Sequence, residues 1–345
     1  MDERDAHERG QAGYPRVRIR TLGEFALERL TPAPPLGLDG PPRYERVDPR
    51  EWSSRGPAMA LLKVLLCRPN RRAARDELIE NIWPDHETLN AAHALDSAAS
   101  VLRRNILRTH AGGSLLLTLR SGGETIFRLP GQDLLWVDAD EFLDLAAKAV
   151  RAECQGQDPL PLLEAARALD GGVFLEDDPY AEWALGRRRT IEGARHRVLY
   201  QLVDLSLAGG RLGQAEELLF AALEEDPVDE DALCRLMILL AERGRRREAL
   251  QLYQYAAEVL REERSEPAVY TRELAGRIRQ GLTLRERAGG YTALVAQPSR
   301  LARMLAEWAP VVVAAAPSNG RASKRRHLRY SAQSTEEPKN AWRLP

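Results

Sequence analysis

The sequence predicts a mainly α-helical protein: an α+β module in the first half, then an all-α solenoid of helix pairs. Two observations carry this. Ten residues from Gly210, GRLGQAEELL, recur 34 positions later as GRRREALQLY from Gly244. This pairs Gly210 with Gly244, Ala215 with Ala249, Leu218 with Leu252 and Ala222 with Ala256. A helix–turn–helix unit of about 34 residues with small residues at fixed offsets is the tetratricopeptide pattern. One such unit cannot bury its apolar face alone, so units stack into a solenoid with an extended binding surface. Ahead of the repeat, strands, three helices and a closing hairpin succeed one another, which is the order of a winged helix-turn-helix.

Each element has its own reason. Residues 16–29 (RVRIRTLGEFALER) alternate apolar and charged positions around Gly23, so Val17, Ile19, Phe25 and Leu27 line the buried faces of two short strands. Residues 31–42 are a Pro/Gly loop that cannot enter a ladder, and residues 44–48 are a candidate third strand. Residues 58–66 (AMALLKVLL) are mostly apolar and belong in the core; Pro69-Asn70 ends that helix. Residues 74–83 carry Leu78, Ile79, Ile82 and Trp83 at helical spacing and stop at Pro84. A third helix, capped by Thr88 or Asn90, runs to about Leu107, with Leu95, Ala99, Leu102 and Ile106 as its inward stripe. After the break at Gly112-Gly113, residues 115–119, an RSGGE turn and residues 125–129 read as a β-hairpin.

In a winged helix the third helix offers a polar face to the major groove while its other face packs on the core. At about 100° per residue from Leu95, that polar face holds His93, Ser97, Ser100 and Arg104, flanked by Asp96, Val101 and Arg103. Arg103 and Arg104 suit phosphates or guanine; the competing reading is a solvated helix C-terminus favoured by the dipole. Asp96 either accepts from a cytosine amino group or is a solvent residue that weakens phosphate approach. Arg120, beside Ser121-Gly122-Gly123 at the hairpin tip, can reach the backbone or minor groove. Arg71, Arg72 and Arg75 lie at the start of the second helix, whose N-terminal amides favour a phosphate. The candidate DNA-contacting residues are therefore Arg72, Arg75, His93, Ser97, Ser100, Arg103, Arg104 and Arg120.

Charge divides the chain in the same way. Residues 52–137 carry 11 basic and 8 acidic side chains, residues 138–282 carry 19 and 29, and residues 283–345 carry 11 and 4. An acidic solenoid is repelled by DNA, so a duplex is met by the first half or the tail. The expected division is a disordered N-terminus (1–15), a winged helix-turn-helix domain (16–135), a tetratricopeptide-like domain (136–282) and a mostly disordered basic tail (283–345). Within the acidic region, amphipathic helices are expected over 138–152 and 159–169, one or two over 179–207, the two repeat units, and a capping helix over 269–279. Arg187-Arg188-Arg189 and Arg245-Arg246-Arg247 read as salt-bridged helix faces, Trp83 and Trp183 as core. Lys324-Arg325-Arg326-His327 either adds non-specific nucleic-acid attraction or merely keeps the tail soluble. Cys67, Cys154 and Cys234, odd in number and far apart, read as buried reduced thiols in a cytoplasmic protein. The charged N-terminus lacks a signal-peptide core, and the apolar run over residues 311–316 is far short of the roughly 20 residues of a membrane span. No GxSxG, HExxH or zinc spacing occurs, and the acidic pairs lack a positioned partner, so no enzyme, cofactor or metal is expected.

Beyond these readings, GGVFLEDDPYAEWALGRRR (residues 171–189), the two repeats and residues 231–263 resemble the bacterial transcriptional activator domain. That domain is a tetratricopeptide module of regulators of the Streptomyces antibiotic regulatory protein type, in which it follows a response-regulator-type winged helix. WSSRGPAMALLKVLL, RDELIENIWP and LDSAASVLRRNI are similar to that winged helix, and the resemblance covers about residues 16–280 in the family's domain order. It implies binding to double-stranded promoter DNA, recruitment of RNA polymerase, and self-association through the repeat domain. The chain departs from the family at Ala98 and Val101, where a His and an Arg are usual, at Ala74 in place of a Ser, and at Gly56 in place of a Lys. Each change removes a donor or charge expected to face phosphate or base. The alternative is accordingly an interaction scaffold whose degenerate winged helix does not read DNA. The nucleotide-binding domain of larger members is not expected, since no GxxxxGK[ST] occurs.

Overall fold

A computed structural model of the chain, describing residues 14–31, 42–84, 88–108 and 113–281, turns the first apolar alternation into a sheet. Val17 and Ile19 of β1 (Val17–Arg20) are buried, and so is Leu27 of β2 (Ala26–Leu30), because period-2 side chains share a face. The two strands pair antiparallel with Ile19 opposite Leu27. β3 (Tyr44–Arg46) adds to the outside of β2. Gly23 makes the turn at φ +85°, and a side chain there would meet the Gly171 carbonyl oxygen at 2.5 Å.

Four helices follow the sheet's first three strands. α1 (Arg50–Ser53) is a single turn the sequence reading does not include, and α2 (Gly56–Cys67) is the core helix, with Leu61, Leu62, Val64 and Leu65 fully enclosed. A three-residue strand, β4 (Arg72–Ala74), precedes α3 (Arg75–Ile82). α4 (Thr88–Val101) continues into a wider π-type turn over Leu102–Ile106, closed by Leu107 N–H donating to the Leu102 carbonyl at 2.8 Å. That extra residue per turn lets Leu102, Ile106 and Leu107 all face the core. β5 (Leu117–Ser121) and β6 (Glu124–Arg128) form the hairpin, turning at Gly122 and Gly123 with φ +59° and +87°. Two consecutive positive-φ residues match the twist of a tight hairpin. β4 joins it to give the order β4-β6-β5, while β7 (Leu135–Val137) returns to lie parallel to β1, completing the order β3-β2-β1-β7.

β7 runs straight into α5 (Asp138–Cys154), and two buried charged residues fix that junction. The Asp138 carboxylate accepts from Thr21 N–H, Thr21 Oγ1 and Leu22 N–H within 2.7–3.0 Å. Burial pushes its pKa up and these hydrogen bonds oppose the rise. Arg71, at φ +52°, donates to Asp140, to Gln132 Oε1 and to the carbonyls of Pro130 and Leu135. It is a structural cation. α6 (Leu160–Leu169) packs on α5, and α7 (Leu185–Ala208) follows.

The chain divides into two compact units between Val198 and Leu199. In the second, α8 (Leu212–Glu225), α9 (Glu230–Glu242), α10 (Arg246–Glu262) and α11 (Val269–Arg279) enclose a core of Leu219, Leu223, Leu236, Met237, Leu240 and Ile278. The 34-residue period appears there as repeated structure. Gly210 and Gly244 both take φ near +70° to +80°, and each is followed by the same closure: Arg211 N–H to Ser206 O and Arg245 N–H to Leu240 O, both 2.8 Å. These are left-handed helix stops of the Schellman type. Ala215 and Ala249 are both fully buried where one helix crosses the next.

Several expectations need correction. Cys154 is exposed and Cys67 half-buried, so Cys234 alone is the enclosed thiol. Trp83 and Trp183 are half-buried, as befits a ring too large to enclose easily. Arg187 pairs with Asp140 and Arg245 with Glu216 and Glu248, as salt-bridged faces should, but Arg188 donates to the carbonyls of Phe174, Leu175, Asp178 and Pro179. The expected disordered tail with its residues 324–327, and residues 1–13 of the expected disordered N-terminus, lie outside the described residues. No helix among the described residues is long and apolar enough to cross a membrane.

Candidate nucleic-acid interface

α4 is positioned by its small and branched residues. Ala91, Leu95, Ala98, Ala99 and Leu102 are buried, which leaves His93, Asp96, Ser97 and Arg104 exposed and Ser100 half-buried. Ala98 therefore belongs to the core stripe: having Ala instead of His there removes nothing from the reading face. Arg104 donates to Ser100 Oγ at 2.6 Å one turn back, which holds its guanidinium along the face. At the helix start Leu89 is 76% exposed on the same face, a residue the sequence reading passes over.

Arg75, the first residue of α3, grips α4. Its guanidinium donates to both Asp96 carboxylate oxygens at 2.8 and 2.7 Å and to the Ala92 carbonyl at 3.1 Å. The hydrogen-bonded Arg75 holds the Asp96 carboxyl below its ordinary range, and the same bond raises Arg75. Planar, bidentate pairing of this kind is the geometry at which Arg excels. It cancels the one carboxylate that α4 itself carries. It also commits Arg75 to a structural partner, leaving it as a dipole-weakened cation rather than a free one. Ala74, the residue before α3, supplies no side-chain cap, so the first amides of that helix remain without a side-chain acceptor.

The hairpin is tied to α4 by Arg103. Its Nε donates to the Leu116 carbonyl at 3.3 Å, an Nη donates to Thr118 Oγ1, and its guanidinium carbon lies 5.9 Å from the centre of the Phe127 ring. Arg103 thus braces the hairpin against the helix. Arg120 is exposed on β5, opposite Thr125. Arg72 on β4 is exposed and directly opposite Arg128 on β6. Like charges across a strand pair are destabilising, and an anion between them removes that cost.

The helix pair and basic hairpin lie in a chain that matches known proteins. Residues 137–279 fit the bacterial transcriptional activator domain and residues 52–123 fit the C-terminal domain of transcriptional regulatory proteins. The regulatory protein AfsR of Streptomyces griseus is 29% identical over 262 residues, covering 72% of this chain and 25% of AfsR. AfsR of Streptomyces coelicolor is 30% identical over 280 residues, covering 78% and 26% respectively. Together these matches support a regulator of the Streptomyces antibiotic regulatory protein type. The chain spans about a quarter of the length of these curated relatives. The family fold extends to a solved structure, Mycobacterium tuberculosis EmbR in complex with a low-affinity phosphopeptide, at TM-score 0.58 and 20% identity over 85% of this chain and 71% of EmbR. Proteins of this family are transcriptional regulators with a winged-helix DNA-binding domain.

The eight candidate residues fall into three groups. His93, Ser97, Ser100 and Arg104 share the outward face of α4, while Arg72 and Arg120 lie on the hairpin sheet; Arg75 and Arg103 spend their donors on the protein itself. Arg128 and Leu89 complete the set. Arg128 was legible only through its register with Arg72, and Leu89 through its helical phase.

Proposed function

We propose that this chain is a DNA-binding transcriptional regulator, an activator, that grips promoter DNA with α4 in the major groove and the hairpin on the backbone. The acidic helical-repeat domain then serves self-association or contact with RNA polymerase. The observation that carries the reading is the composition of the α4 face. Arg104, His93 and Ser97 project from it, and its one carboxylate is already neutralised by Arg75. Exposed Arg120 on the hairpin flanks it, on the side of the sheet that Arg103 braces, while exposed Arg72 and Arg128 face the sheet's other side. Backbone-directed cations and a polar reading helix are what duplex recognition needs. The scaffold alternative rests on Ala98, Val101 and Asp96, beside the departures at Ala74 and Gly56; with Ala98 in the core and Asp96 paired, Val101, Ala74 and Gly56 still favour it.

The test is an electrophoretic shift on the DNA upstream of the chain's own gene, at moderate salt, comparing the wild type with Arg104→Ala/Arg120→Ala. Loss of two charged contacts is expected to weaken binding by about a hundredfold, at roughly 1–3 kcal/mol per good contact. Equal shifts for the two proteins remove α4 and the hairpin from the interface.

A further inference from the structure

Leu89 is the one large apolar side chain among the outward residues of α4. It is 76% exposed, and only Tyr180, at 82%, exceeds it among the large apolar side chains described. Burial would stabilise this side chain, and the fold supplies little. Its place in the helix says what would cover it. It sits in the first turn of α4 (Thr88–Val101). At about 100° per residue it falls within roughly 40° of His93 and 20° of Ser100, on the polar face and not on the core stripe of Leu95 and Leu102. The N-terminal residues of a recognition helix are those that approach base edges. Farther along this face Arg75 holds Asp96 in a bidentate pair, and Arg104 lies beyond it.

In the major groove one base feature is apolar: the thymine C5-methyl group. We infer that Leu89 is a specificity-determining residue that reads a thymine methyl at the site this helix occupies. The inference rests on the DNA-binding reading above. It also explains how a reading face that lacks an arginine at Val101 still discriminates sequence, using one methyl contact beside the polar contacts of His93 and Ser97.

The experiment starts by selecting bound duplexes from random oligonucleotides with the full chain. Each thymine of the selected site is then replaced, one at a time, by deoxyuridine, which deletes only the methyl group. Wild-type affinity is expected to fall about fourfold at one thymine position, the effect of leaving one methyl-sized group in water, and to stay unchanged at the others. Leu89→Ala, a truncation of an exposed side chain, is expected to bind the thymine and uracil duplexes of that position equally. The proposal is overturned if the wild type binds every uracil duplex as tightly as the parent, or if Leu89→Ala keeps the fourfold preference, the result expected were Leu89 facing a protein partner. Enrichment of no sequence at all defeats the DNA-binding reading itself, and this inference with it; the two failures are therefore distinct.

Discussion

Arg75 and Asp96 face solvent on opposite members of the helix pair, and each changes what the other does to a duplex. Asp96 alone would repel a phosphate at the edge of the reading face; with two guanidinium hydrogen bonds of 2.8 and 2.7 Å it presents a neutral pair. Removing Arg75 therefore exposes a negative charge and deletes a positive one, whereas removing Asp96 only frees a cation. Arg75→Ala is expected to weaken DNA binding about tenfold, or 1.4 kcal/mol, and Asp96→Ala to leave it unchanged or tighter; adding Asp96→Ala to Arg75→Ala should restore most of the loss. Anisotropy titration of the three variants decides, and equal weakening by the two single changes sinks the pairing argument. Stability should move by less than about 1 kcal/mol in all three, since a pair this exposed contributes little to folding. The same two residues show where the sequence stops being readable. Arg75 and Arg103 look like DNA contacts because their type and helix position fit. Their partners stand 21, 15 and 13 residues away, at Asp96, Thr118 and Leu116. Side-chain direction at such distances is decided by tertiary packing, which local pattern does not carry.

Elements with their own periodicity were legible, and elements that exist only through a partner were not. α2, α3, α4 and the hairpin follow from apolar spacing and from glycine placement. β4 and β7 are three residues each, too short to alternate, and their pairing with β6 and β1 is non-local. The π-type turn after α4 was invisible too, because the inward stripe of Leu95, Leu102 and Ile106 fits a regular helix as well. The repeat is different: a period of 34 is written in the sequence and returns as matched helix stops at Gly210 and Gly244. At neither position would a Cβ meet any atom within 4 Å, so alanine there costs only the left-handed backbone, about 1–2 kcal/mol. Gly210→Ala and Gly244→Ala are each expected to lose that amount in urea unfolding and to agree within about 0.5 kcal/mol. Gly23→Ala adds a 2.5 Å collision with the Gly171 carbonyl to the same backbone penalty and is expected to lose about 3 kcal/mol or more. If Gly210→Ala and Gly244→Ala differ twofold, or Gly23→Ala is the mildest of the three, the equivalence of the repeats or the close approach at that turn is wrong.

At the scale of the whole molecule the chain is nearly neutral, at −1, yet its charge is sorted along its length. Residues 52–137 hold 11 basic side chains against 8 acidic, and residues 138–282 hold 19 against 29. Such a molecule should bind a duplex by local neutralisation and not by its average field, and the salt dependence separates these. Taking the four exposed cations Arg72, Arg104, Arg120 and Arg128 as the phosphate partners sets the expected counterion count. Each phosphate neutralised contributes about 0.9 to the slope of log affinity against log salt, so four give about −3.6. Above about 0.1 M salt the screening length is near 10 Å or less, and acidic helices farther than that from the duplex drop out of the balance. Near 0.01 M it lengthens to about 30 Å, the acidic region is felt, and further dilution of salt yields less affinity than the four cations alone would give. The expected plot is a straight line of slope about −3.6 above 0.1 M that flattens below it, with Arg104→Ala/Arg120→Ala falling to about −1.8 on the straight part. A slope near zero, or one that steepens at low salt, would mean that these arginines do not meet the phosphates and that the acidic region does not oppose the duplex.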